Sequence, residues 1–102
     1  DGENPALFKH QIRKWLDINP NLIIDCSKLT YLDSSGLGAL LSCLRKALEK
    51  GGDMSLASLS PAVFLVFELT RTQKVFNIFD SVHKALASFE LKQRQETDPI
   101  NI

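Results

Sequence analysis

The sequence predicts an α/β layered domain with a mostly parallel sheet and about four helices. Short apolar runs alternate with amphipathic stretches of helical length. The leading apolar run is continuous rather than alternating in polarity, as in a strand covered on both faces. Most of the helical stretches open on a capping residue, twice with proline directly behind it. A length of 102 residues suits one domain with one core, here taken as 1–102 with its core over 4–90 and a flexible tail over 97–102.

Asn4-Pro5 is an N-cap and first-turn pair, and Phe8, Ile12, Trp15 and Leu16 recur at helical spacing behind it, predicting one helix with one apolar face. Asn19-Pro20 breaks that helix before the strand run Leu22-Ile23-Ile24. After an irregular stretch from Ser27 to Leu32, the residues Leu37, Leu40, Leu41, Leu44, Ala47 and Leu48 form a helical stripe. Arg45, Lys46, Glu49 and Lys50 lie outside it, and Gly51-Gly52 ends it. Met54 to Leu59 reads as a second strand, and Ser60-Pro61 caps a third helix. That helix, with Val63, Phe64, Leu65, Val66, Phe67 and Leu69, is apolar nearly all round, a surplus that core or interface could use. Val75 to Phe79 predicts a further strand. Asp80-Ser81 then caps a last helix with Val82, Ala85, Leu86 and Phe89 on its apolar side.

Twelve basic and twelve acidic side chains are scattered, so no basic patch marks a surface for nucleic acid or for an anionic membrane. No apolar run has the length of a membrane span, and the N-terminus has no signal-peptide pattern. A cytoplasmic protein is expected. Cys26 and Cys43 lack metal spacing and read as reduced core residues. His10 and His83 stand alone on predicted helices, and no metal site or cofactor is expected. Asp25, Asp33 and Asp80 lack the spacing and the lysine of a phosphoacceptor pocket and read as loop carboxylates. Gly-x-Ser-x-Gly is absent, so hydrolase chemistry has no support and no catalytic residue is assigned.

The run Asp33-Ser34-Ser35-Gly36-Leu37-Gly38 stands between strand and helix and places hydroxyls at a helix N-terminus, where unpaired N–H groups and the helix dipole favour negative charge. Its plainest reading is a helix cap with glycines easing a tight turn. A nucleotide-binding loop is a weaker one: Leu41 stands where the third glycine of a dinucleotide fingerprint falls, and no lysine completes a P-loop. A third is a phosphorylated serine, Ser34 or Ser35, adding roughly 1.5 to 2 negative charges at a position that tolerates them.

Leu22 to Cys26, Leu29, Leu32 and the run Asp33 to Leu40 resemble the signature of STAS domains, most of all bacterial anti-sigma-factor antagonists. Gly51-Gly52, Ser60-Pro61 and the Val75–Phe79 segment leading into Asp80-Ser81 extend the likeness over residues 4 to 90. The resemblance implies a regulatory protein and not an enzyme. Its partners would be an anti-sigma factor with serine kinase activity and a protein phosphatase, with transcription as the process regulated. It marks Ser35 as the phosphorylated residue. Asp33, Ser34, Gly36, Leu37 and Gly38 then form the partner-binding loop, and phosphorylation releases the anti-sigma factor. The same fold also serves as a regulatory module of anion transporters or lipid-transport complexes, which is the alternative. Two departures accompany the likeness. The one or two strands that open such domains do not stand before the first helix in this sequence: either the sequence is truncated there or the sheet has lost an edge, and an edge so exposed could dimerise or exchange segments. Arg71-Thr72-Gln73 replaces the usual glycine after the third helix, so that helix runs on or ends differently.

Overall fold

A computed structural model describes residues 4–97. The chain runs α1 (Pro5–Ile18), β1 (Asn21–Asp25), α2 (Ser34–Glu49), β2 (Asp53–Ala57), α3 (Pro61–Thr70), a 3-10 turn (Thr72–Lys74), β3 (Asn77–Phe79) and α4 (Val82–Thr97). The three strands form one parallel sheet in the order β1-β2-β3, and Ile24, Leu56 and Ile78 stand in register across it. This is the α/β architecture the sequence predicts.

Strand alternation assigns the two faces. Leu22 and Ile24 of β1, Met54 and Leu56 of β2 and Ile78 of β3 belong to one apolar cluster with Ile12 and Leu16 of α1 and with Leu40, Cys43, Leu44 and Ala47 of α2. Val63 and Phe67 of α3 join it, and Phe67 meets Phe76 edge-on with centroids 5.5 Å apart. The other face carries Ile23, Ser55, Asn77 and Phe79, which with Leu86 and Phe89 of α4 line an open cleft of about 560 Å³.

The caps act as their residue types dictate. Asn4 Oδ1 accepts from the Leu7 N–H at 3.1 Å, and Ser60 Oγ accepts from the Val63 N–H at 3.3 Å. At α4 the cap is Ser81, whose Oγ accepts from the Lys84 N–H, while Asp80 pairs with the Lys84 ammonium at 3.1 Å. After α2, Gly51 takes a left-handed φ of +82°. Gly52 then passes so close to Pro20 that an added Cβ would stand 2.1 Å from the proline carbonyl oxygen. This contact ties the end of α2 to the turn entering β1.

Several expectations are corrected. Trp15 is 61% exposed and Leu48 is exposed, because each lies at the margin of its helical stripe where no neighbour covers it. The run Leu22-Ile23-Ile24 is only half-buried, since β1 is an edge strand with β2 as its one neighbour among the described residues. The apolar surplus of α3 divides: Phe67 is fully buried, Phe64 is partly covered, and Leu65 and Leu69 face solvent. The segment before β3 is shorter in strand than expected, with Val75 exposed and Phe76 buried ahead of Asn77. Helix α4 continues to Thr97, so the expected tail begins inside it, and positions 98–102 lie outside the described residues. Without a glycine, α3 still stops at Thr70, and Arg71 itself adopts the left-handed conformation at φ +61°. No helix among the described residues is long and apolar enough to cross a membrane.

Candidate functional site

The strands all point the same way, so the connections leaving β1, β2 and β3 emerge at one edge of the sheet, where the N-termini of α2, α3 and α4 also begin. Open α/β sheets place their working loops at this carboxyl edge. The segment 26–33 leaves β1 there. The Ser27 N–H donates to Asp25 Oδ1 at 3.0 Å, and the Leu29 N–H to the Cys26 carbonyl at 3.0 Å, turning the chain sharply. The Ser27 bond holds the Asp25 carboxyl below the ordinary range.

Leu32 is buried and anchors the segment, after which Asp33 caps α2. Its Oδ1 accepts from the Gly36 N–H at 2.9 Å, and its carbonyl accepts from the Leu37 N–H at 2.9 Å. Gly36 is buried, and a Cβ there would meet Leu32 Cδ1 at 2.7 Å, so Leu32 folds over the first turn of the helix only because position 36 has no side chain. Leu37 points into the core. Asp33, Ser34, Ser35 and Gly38 stay at the surface, and a Cβ on Gly38 would meet nothing within 4 Å. Of the six loop residues, four are exposed, and Gly36 and Leu37 are buried beneath them.

Tyr31, 61% exposed, stands two residues before the cap and adds an aromatic surface that the irregular pattern from Ser27 to Leu32 does not disclose. A substituent on Ser34 or Ser35 would sit over the first, open turn of a sixteen-residue helix whose dipole favours negative charge. Neither described cleft is lined by these serines: that of about 560 Å³ lies toward the amino ends of the strands, and one of about 340 Å³ lies between α1 and β1. The loop is thus a surface feature rather than the floor of a pocket.

The other sequence candidates do not join it. Cys26 and Cys43 are buried free thiols; burial pushes Cys26 up to about 11 and raises Cys43 as well. Both stay protonated near neutral pH. Asp80 pairs with Lys84, His10 and His83 are exposed, and no group of potential metal ligands occurs among the described residues.

A parallel α/β layer with a capped serine loop at the carboxyl edge defines a class of fold and site, and comparison with known proteins identifies it. The model of the STAS domain matches residues 1–85, and the chain belongs to that family. It is 28% identical over 71 residues to the anti-sigma F factor antagonist of Paenibacillus polymyxa, covering 70% of this chain and 61% of the relative. It is 30% identical over 73 residues to the anti-sigma-B factor antagonist of Listeria monocytogenes serovar 1/2a, covering 72% and 60%. The chain thus spans about 60% of the length of these relatives. Among solved structures it resembles that of a candidate anti-sigma factor antagonist from Thermotoga maritima, with a TM-score of 0.78 and 26% identity over 84% of this chain and 75% of the other.

Proposed function

We propose that this chain is an anti-sigma-factor antagonist: it binds an anti-sigma factor through the surface around Asp33–Gly38 and is released when a loop serine is phosphorylated. The observation that carries this reading is the exposed Ser34-Ser35 pair on a helix N-terminus fixed by the Asp33 cap and the Leu32–Gly36 contact. The names of the relatives support the antagonist role.

Phosphorylation there works through charge and bulk. A phosphoryl group carries roughly 1.5 to 2 negative charges, which the helix N-terminus accepts without unfolding the loop. The same charge inserted into a docked interface leaves an unmatched anion and a steric clash, so partner affinity falls while the fold persists. The protein is then a substrate of a kinase and of a phosphatase, with no chemistry of its own. Ser35 is the residue the family resemblance marks, and Ser34, equally exposed one position earlier, must be separated from it.

Incubation with a serine-kinase anti-sigma factor and ATP, followed by mapping of the phosphate by mass spectrometry, tests the proposal. Incorporation is expected in the 34–35 pair and is expected to disappear in Ser35→Ala. Retention in Ser35→Ala with loss in Ser34→Ala moves the switch by one residue within the same loop. Phosphate on neither serine refutes the switch.

A further inference from the structure

Three of the four described glycines owe their place to the fold. Gly51 takes a left-handed φ of +82° at the end of α2. A Cβ on Gly52 would stand 2.1 Å from the Pro20 carbonyl oxygen, and one on Gly36 would meet Leu32 Cδ1 at 2.7 Å. Gly38 answers to no such demand. It lies inside α2, its φ is outside the left-handed region, and a Cβ there would meet nothing within 4 Å. Within a helix glycine is the least favourable residue apart from proline, because it loses the most backbone freedom on folding and leaves the backbone open to water. Alanine would fit the same space and make a more stable helix.

The position faces away from the rest of the described chain. α2 turns Leu37, Leu40, Cys43, Leu44 and Ala47 to the core. Its seam with α1 is marked by three contacts: Arg13 donates to Ser42 Oγ at 2.9 Å, the Cys43 thiol reaches the Lys9 carbonyl, and Lys50 pairs with Asp17 at 3.0 Å. The rotation of an α-helix carries Gly38 to the side opposite the buried residues, and roughly a quarter-turn away from that seam. Ser35, three residues earlier, is its neighbour on the same exposed side. A bare stretch of helix backbone thus adjoins the candidate switch hydroxyl.

We propose that Gly38 is the specificity-determining contact of the docking surface: a segment of the anti-sigma factor packs directly on the α2 backbone at this position, in space that any side chain would fill. The inference rests on the antagonist reading above and adds to it the point at which the partner comes closest. A residue that weakens its own helix, and that no contact within the described chain requires, is accounted for by a contact from outside. Main chain reached at van der Waals distance gains dispersion contacts and sheds its water, as at the centre of a tight interface and not at its rim. This placement also sharpens the switch. A phosphoryl group on Ser35 would enter a close-packed, dehydrated contact, where an unmatched charge costs far more than at a hydrated, salt-screened margin.

Gly38→Ala and Gly38→Gln separate this contact from the fold. In the full-length protein both are expected to raise the Tm by a few degrees, since each side chain favours the helix over glycine, so a loss of binding cannot come from unfolding. Affinity of the unphosphorylated protein for a serine-kinase anti-sigma factor, measured by titration calorimetry, is expected to fall about ten-fold with Gly38→Ala and about a hundred-fold or more with Gly38→Gln. Undiminished affinity in Gly38→Ala overturns the proposal and leaves the antagonist reading standing, because a backbone packed against a partner has no room for a methyl group. A lowered Tm in Gly38→Ala overturns it as well, since a segment of the protein itself would then occupy the space. Absence of binding by the unsubstituted protein refutes the antagonist reading and this contact with it.

Discussion

Helices α2 and α4 are both sixteen residues long and pack on opposite faces of the same sheet, yet they are held very differently. α2 buries Gly36, Leu37, Ala39, Leu40, Cys43, Leu44 and Ala47, nearly one whole side from its first turn to its last. α4 buries Ala85 alone among its described residues, leaves Leu86 and Leu91 exposed, and stands over an open cleft. A fully buried leucine contributes about 1.5–3 kcal/mol over an exposed one, so α2 is anchored by several such terms and α4 by few. The difference shows where the molecule keeps rigidity. The candidate switch sits at the start of the more deeply buried of the two helices, so a phosphate added there is expected to change a surface rather than the helix beneath it.

Four substitutions bear on this contrast. Leu44→Ala, which empties a fully enclosed site in α2, is expected to cost about 2–5 kcal/mol in denaturant unfolding. A cost below 1 kcal/mol would show that α2 is not the anchor described. Gly52→Ala drives a Cβ into the Pro20 backbone and is expected to cost about 1–3 kcal/mol, read as a lowered Tm. Asp33→Ala removes the cap from the Gly36 N–H, for an expected loss of about 0.5–2 kcal/mol; amide exchange should accelerate in the first turn of α2 and not elsewhere. Smallest is Leu86→Ala, the same chemical change as Leu44→Ala at a position 45% exposed, expected to cost less than about 1 kcal/mol. Equal costs at positions 44 and 86 would erase the distinction between the two helices.

Much of the fold was legible because its signals are local. Asn4, Asp33 and Ser60 cap the helices they precede, since a side-chain oxygen before a helical run has one near set of donors. The stripe from Leu37 to Ala47 is buried as its spacing requires. Reading failed where the answer depends on a neighbour. Trp15 shares the periodicity of Ile12 and Leu16, yet it is 61% exposed, because no element among the described residues packs against its side of α1. Leu65 and Phe67, both apolar and two positions apart, turn to opposite sides of α3, and only the packing of the core, Phe76 included, decides that the Phe67 side is the enclosed one. At the site, the motif disclosed the loop and its cap. It did not disclose that Gly36 is buried while Gly38 faces open space, because that division follows from how Leu32 folds over the helix.

By itself, the sequence determined the order of strands and helices, their caps, and the serine pair at a helix N-terminus. Hydrogen bonding and apolar periodicity over a few residues are sufficient for these. Only the tertiary structure decided which faces are covered and which loop residues reach the surface. Burial is a property of pairs of elements, and the partners of a given residue lie tens of positions away along the chain.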